Sequence, residues 1–323
     1  MPVEVRPKQR LMNTRKTITH SLLLTLATVI WGFAFVAQSK GGEVVGAFTF
    51  TAVRFWIAAG VLGVVLLVRH KRRQSEWKPL LVGGCVCGVL LALATNLQQL
   101  GLNLGSPVGK AGFITAMYIL LVPIGAHMFY RKRSGWNVWV AVAIGVVSLY
   151  LLCMTDTWTF ATYDLLMLGC ALSFSFQILS IDKFGAQTDP IELTCVEFCV
   201  CGLVSAIPMF ITEVGPAPAE WVASLSTWDA WLPLLYAAVL SGGVGYTLQT
   251  VGQKGINPTI ASLVMSLESV FSVLAGWLIL HQALSSREWI GCALMMVAIF
   301  LAQIPLRRAR RETPVEPPDL EEA

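Results

Sequence analysis

Charged side chains are scarce in this 323-residue sequence, and three of them interrupt long apolar runs: Arg54, Glu197 and Glu268. Glu268 lies near the middle of its run, with Met265, Phe271 and Ser272 around it at helical spacing. An ionisable group in such a run costs on the order of 2.5–3.5 kcal/mol to insert into a bilayer, so it must face protein or a water-filled cavity. A carboxyl held there is suited to loading and releasing a proton or, kept protonated, to bridging two helices. Arg54 has reach either to snorkel outward or to hydrogen-bond backbone carbonyls at a helix end. Glu197 occupies the matching position of a repeated stretch at the opposite depth, so these two are not expected to pair. His127, one turn from a segment end, reads as interfacial.

Uncharged polar groups form a second set. Asn96, Gln99 and Asn103 share one helical face at i, i+3 and i+7, and Tyr246, Gln249 and Gln253 repeat that spacing. Amides on one face recognise a polar solute without fixed charge, or equally hold helices together for about 0.6 kcal/mol apiece. Asn103 and Gln253 are better placed as loop caps, while Trp31 and Tyr118 offer flat walls. The substrate-cavity candidates are therefore Trp31, Asn96, Gln98, Gln99, Tyr118, Tyr246 and Gln249. The coupling or buried-charge candidates are Glu268, Glu197 and Arg54.

Other chemistries lack their residues. Gly41-Gly42, Gly83-Gly84 and Gly242-Gly243 have no P-loop setting, and neither a Ser-His-Asp order nor zinc-ligand spacing occurs. The eight cysteines fall within or at the ends of apolar segments, as small packing residues do. No catalytic residue, metal site or cofactor is expected.

The elements that must position these groups are membrane helices. Hydrophobic residues make up 55% of the chain and charged residues 13%, with mean hydropathy +0.67, a composition that marks a polytopic membrane protein in contact with the lipid bilayer. Apolar segments run over about 19–38, 46–68, 79–100, 107–130, 136–153, 162–181, 190–212, 230–250, 257–280 and 287–304, ten in all and each near the length of a span. The first is long for a signal-peptide core and lacks a small-x-small cleavage site, so it is expected to be retained. Residues 1–18 read as a cytoplasmic segment in which Met12 is an alternative start, and the Pro-rich, charged residues 305–323 as a disordered cytoplasmic tail.

Lys and Arg orient the spans. With the N-terminus inside, the inner connections hold five (1–18), five (69–78), three (131–135), one each (181–189 and 251–256) and four (305–323), or 19, against Lys40, Lys110 and Arg287 outside. Both termini are expected in the cytoplasm. The net charge of +4 thus reflects topology and gives no reason to expect nucleic acid. Trp77, Trp136, Trp158, Trp221, Trp228, Trp231 and Trp289 fall at segment ends, as an interfacial belt requires.

The chain also repeats itself. Residues 97–125 align without a gap on 248–276, matching Leu97 with Leu248, Gln98 with Gln249, Gly101 with Gly252, Pro107 with Pro258 and Gly125 with Gly276. Upstream, Thr51 to Phe55 echoes Thr194 to Phe198. The expected organisation is an all-α membrane protein of ten transmembrane helices, in two five-helix repeats at 19–153 and 162–304. An odd helix count inverts the second repeat, and inverted repeats place a substrate site near the midplane between halves that alternately open each side. Pro107 and Pro258, opening equivalent helices, are the hinge candidates.

Ile30-Trp31-Gly32-Phe33-Ala34-Phe35, Arg54-Phe55, Lys110 to Thr115, Tyr118 to Pro123 and Ser266 to Phe271 resemble the EamA-type branch of the drug/metabolite transporter superfamily, over roughly residues 20–304. The pattern departs at Ser269, where a proline often follows Leu-Glu, and at His281-Gln282, where Gly-Glu usually closes the helix. The resemblance implies ten helices, a central cavity and export of metabolites, such as amino acids or xenobiotics, across the bacterial inner membrane.

The expected function is a secondary transporter of a small-molecule substrate working by alternating access, with proton exchange at Glu268 as one coupling the sequence allows. A nucleotide-sugar or lipid-linked sugar carrier is the alternative within transport, and a membrane receptor or scaffold the alternative outside it. The oligomeric state is not legible.

Overall fold

In a bilayer no water is available to satisfy backbone N–H and C=O groups, so apolar segments close their hydrogen bonds within themselves as helices. The computed structural model, which describes residues 7–69, 75–106, 108–130, 135–153, 161–254, 256–280 and 285–303, is helical throughout its regular structure. In chain order the helices are α1 (Pro7–Gly42), α2 (Ala47–Val68), α3 (Trp77–Asn103), α4 (Val108–Ala116), α5 (Tyr118–Tyr130), α6 (Trp136–Cys153), α7 (Thr162–Phe184) and α8 (Pro190–Met209). There follow α9 (Pro218–Ser224), α10 (Trp228–Leu235), α11 (Thr247–Gln253), α12 (Pro258–Met265), α13 (Leu267–Leu280) and α14 (Ser286–Gln303). π-helical turns extend α8 over Phe210–Val214 and join α10 to α11 over Tyr236–Tyr246.

Among the described residues, eight stretches are long and apolar enough to cross a membrane: Ile18–Gly42, Ala47–Val68, Trp77–Asn103, Val108–Phe129, Thr162–Phe184, Pro190–Val214, Trp228–Gln253 and Pro258–Ile279. The two remaining apolar stretches of the expected ten, Trp136–Leu151 and Trp289–Ala302, are shorter. Their parent helices α6 and α14 have 18 residues each, about 27 Å at 1.5 Å per residue, just under a hydrocarbon core of about 30 Å. Helix α1 begins at Pro7 and continues through the basic residues into the first apolar run, because nothing in between breaks the helix.

Exposure is inverted relative to a water-soluble domain. Leu22, Val64, Leu67, Leu203, Ile211 and Phe300 are exposed, whereas Arg54, Gln99, Gln177, Glu197 and Glu268 are buried. Outward lipid removes the hydrophobic reason to bury leucine, and polar groups turn inward to find partners. Trp77, Trp136, Trp228 and Trp289 stand exposed at helix ends, while Trp158 lies outside the described residues.

Helices distant in sequence make the framework. α6 packs on α14, α3 on α7 and α8, α2 on α8, and α1 on α13 and on the π-helical turn with α11. Gly32 permits the α1–α13 approach: a Cβ there would meet Phe271 Cβ and stand 2.8 Å from the Ser272 backbone nitrogen.

Two apolar stretches are broken at their middles. Between α4 and α5, Met117 N bonds Ile114 O and Leu120 N bonds Met117 O, while Pro123 inside α5 removes a donor one turn further on. Between α12 and α13, Ser269 N bonds Ser266 O, and no proline is needed. There the hydroxyls of Ser262, Ser266 and Ser272 each bond the carbonyl three residues back, a competition that bends helices. Different side chains thus produce the same interruption in two corresponding elements.

Candidate functional site

The breaks in α4/α5 and α12/α13, the middle of α1 and the π-helical turn converge on a central cavity. Its wall includes Trp31, Gln38 and Phe35 from α1, Arg54 from α2, Gln98 from α3 and Tyr118 from α5, with Phe174 and Ile178 from α7. The opposite side supplies Ser241 and Tyr246 from the π-helical turn, Gln249 from α11, Met265 from α12 and Glu268 from α13. Free space for the centres of water molecules is about 40 Å³, room for about three waters at 10–15 Å³ each.

Seven of the residues singled out from sequence meet here: Trp31, Arg54, Gln98, Tyr118, Tyr246, Gln249 and Glu268. Tyr118 Oη donates to Glu268 Oε1 at 2.9 Å, in the first turn of α13, where the break turns the carboxyl toward the cavity. Trp31 donates through Nε1 to Ser241 O at 3.2 Å and packs at 5.0 Å from the Tyr246 ring. Gly245 makes room for it, since a Cβ there would lie 2.6 Å from Trp31 Nε1. Phe55 and Phe198, which the sequence repeat aligns, close an aromatic cluster around Tyr246. Gln98 reaches Thr115 Oγ1 at 3.5 Å.

Arg54 is a buried charge that bonds a side chain where the sequence suggested lipid-side snorkelling or backbone carbonyls. It is 4% exposed and does not snorkel; the guanidinium donates from Nη1 to Gln38 Oε1 at 2.8 Å and lies over the rings of Phe50 and Phe55. Its Nε has no partner, and among the described residues no carboxylate lies in ion-pair contact with it. A buried cation without an anion is costly, and the cost falls when a ligand supplies the anion.

Other expected wall residues point elsewhere. Asn96 donates to Ala92 O and Ser205 Oγ, and Gln99 to Gln38 O and Asn103 Oδ1, so both bind helices together. Asn103 caps the neighbouring turn through Val45 O. Glu197 stands behind the wall, accepting from Gln177 Nε2 at 2.8 Å, and Gln177 Oε1 accepts from Gln249 Nε2 at 3.2 Å. Pro258 follows the Asn257 cap as the first residue of α12, and Pro107 lies outside the described residues. His127 is exposed near the end of α5.

Residues not named as site candidates tie the two ends of the bundle. At one end Glu213 accepts from Phe48 N, Thr49 N and Thr49 Oγ1 at 2.9, 2.7 and 2.6 Å, capping α2, and Lys110 pairs with Asp164 at 2.8 Å. At the other, Asp189 caps α8, donates its backbone N–H to Ser75 Oγ at 2.7 Å and lies 3.6 Å from Arg69. Ser75 N donates in turn to Glu192 Oε2. Their trace in the sequence was slight: Asp189 and Glu213 directly flank the 190–212 run, and Asp164 and Glu192 are each the third residue of a run, where a carboxylate reads as an ordinary segment end.

A helical bundle with a lipid-compatible exterior, broken helices and a charged cavity at its centre defines a multi-pass transmembrane protein built for transport. The chain belongs to the EamA-like transporter family, whose pattern matches residues 19–154 and again 161–303. It is 26% identical over 290 residues to an uncharacterized transporter of Archaeoglobus fulgidus, covering 90% of this chain and 87% of the relative. It is 25% identical to the uncharacterized transporter sll0355 of Synechocystis over 313 residues, 89% of this chain and 91% of the relative. The uncharacterized inner membrane transporter YedA of Escherichia coli K12 is 22% identical over 280 residues, 85% of this chain and 88% of its own. One crystal structure superposes with a TM-score of 0.72 at 20% identity, covering 88% of this chain and 96% of that one.

Proposed function

We propose that this chain is a secondary transporter that exports small zwitterionic metabolites, amino acids and related amphipathic compounds, across the bacterial inner membrane by alternating access, with proton exchange at Glu268. The observation that carries this reading is that Arg54 and Glu268 line one cavity while neither forms an ion pair among the described residues. A guanidinium with an open N–H suits a carboxylate, a carboxyl suits an ammonium, and the aromatic group between them suits an apolar side chain. A wall with one cation among the described residues is a poor match to a diphosphate, which disfavours the nucleotide-sugar reading.

Two inverted five-helix halves with cytoplasmic termini fit the packing and the charge distribution. Exchanging the halves carries α1 packed on α11 and α13 into α7 packed on α3 and α5, and leaves the α2–α8 and α6–α14 pairs in place. Ties at both ends of the bundle and a cavity of few waters are what a closed intermediate between two open states requires.

Purified protein screened by thermal shift against a metabolite library, followed by counterflow of the hits in oriented vesicles, tests the reading. Zwitterions that stabilise the protein and exchange across the membrane are expected, with net outward flux driven by an inward proton gradient. Stabilisation confined to nucleotide sugars, or zwitterion binding without exchange, would overturn it.

A further inference from the structure

We infer that Glu197, which never touches the cavity, sets through Gln177 whether Gln249 offers the cavity a hydrogen-bond acceptor or a donor, making Glu197 a positioning residue for substrate specificity. The inference deepens the transport reading and rests on it only for its consequence for the substrate.

Glu197 is fully buried, Gln177 likewise, and Gln249 is 2% exposed. The three form a chain in which every bond has a direction. An ionised carboxylate only accepts, so Gln177 must turn its amide nitrogen to Glu197 Oε1. That leaves Gln177 Oε1 facing Gln249, which must turn its own nitrogen inward to meet it. The group of Gln249 left over is its carbonyl, and Gln249 Oε1 is unpartnered on a residue of the cavity wall. The ionised state therefore presents an acceptor, suited to a substrate ammonium.

A proton on Glu197 creates a buried O–H that needs an acceptor, and Gln177 Oε1 supplies one when each bond of the chain reverses. The carboxyl O–H donates to Gln177 Oε1, the Gln177 nitrogen donates to Gln249 Oε1, and the Gln249 nitrogen is left to face the cavity. No covalent bond changes beyond the new O–H, and each amide turns about a terminal torsion that is broad and nearly two-fold. Glu197 Oε2 has no partner either, so the carboxyl is not locked from its far side. A donor on the wall repels an ammonium, so a proton on Glu197 disfavours the cationic end of a zwitterion.

The surroundings leave Glu197 as the acidic member of the chain. Titratable groups within electrostatic reach are Cys87 on α3, Cys201 on its own helix and Tyr246 on the π-helical turn. Arg54, the opposite charge at the corresponding position, uses a different glutamine, Gln38. Thr194 on α8 bonds Thr250 on α11, holding the two helices together beside the chain.

Infrared difference spectroscopy on the full chain in lipid vesicles, with the proton as the only ligand and glutamine side chains carbon-13 labelled, reads both halves of the relay. Lowering pH should produce a protonated-carboxyl band, lost in Glu197→Gln, together with a shift of the labelled amide band. Gln177→Met should keep the carboxyl band and lose the amide shift of Gln249, and it serves alone if Glu197→Gln does not fold. An amide shift that survives either substitution, a carboxyl band unaccompanied by any amide shift, or no carboxyl band assignable to Glu197 would overturn the inference. Because no substrate is present, failure here leaves the transport reading standing, and failure of transport leaves the relay standing.

Discussion

Tyr118 and Glu268 join two helix breaks. Tyr118 is the first residue after the break between α4 and α5, Glu268 the second residue of α13, and the phenol donates to the carboxyl oxygen across the cavity wall at 2.9 Å. Anything that changes the charge of Glu268 alters the strength of that bond, and with it the tie between the two corresponding interrupted helices.

Glu268→Gln keeps the size and hydrogen-bonding capacity of the side chain but cannot titrate. It is expected to bind and exchange substrate across vesicles while losing accumulation driven by a pH gradient. Full pH-driven accumulation in this variant would remove the proton role. Tyr118→Phe removes the donor, and leaving a buried acceptor without its partner costs about 1–3 kcal/mol, so a lower melting temperature is expected in the same preparation.

Arg54→Gln should weaken binding of carboxylate-bearing substrates about ten- to hundredfold, the equivalent of one charge-assisted hydrogen bond, measured by titration calorimetry. Neutral analogues lacking the carboxylate should bind wild type and variant alike. Equal losses for both would mean that Arg54 serves only the packing between α1 and α2.

The ties at the two ends make opposed predictions. Glu213→Ala strips the cap from α2, a loss of about 1–2 kcal/mol, and should raise labelling of cysteines placed at that end of the cavity. Ser75→Ala loosens the α8 cap and should raise labelling at the other end. The same shift from both variants would argue against two gates.

Gly32→Ala puts a methyl group against the backbone of α13 at Ser272, where no side chain can yield. Overpacking of this kind costs about 1–3 kcal/mol, so thermal unfolding should fall, and exchange should slow if α1 and α13 slide during transport. Gly60→Ala, with open space around its Cβ position, is the matched control and should neither lower thermal unfolding nor slow exchange.

Sequence alone determined the membrane class and singled out seven of the residues that line the cavity. Long apolar runs require helices because lipid offers the backbone no partner, and an ionisable or amide side chain inside such a run must turn toward protein. Arg54, Gln98, Gln249 and Glu268 were legible on that ground, and Trp31, Tyr118 and Tyr246 as aromatic companions. The same rule cannot say which neighbour a polar face meets. Asn96 and Gln99 carry the same signal as Gln98, yet one bonds Ser205 of α8 and the other Gln38 of α1. Helical spacing gives only the face of a helix, and the partner is chosen by packing between helices far apart in the chain. For that reason only the tertiary structure could put Gln38 on Arg54, Gln177 between Glu197 and Gln249, and Glu213 on the first turn of α2. The break at Ser266 belongs with these, since serines bend a helix only where neighbouring helices hold the bend.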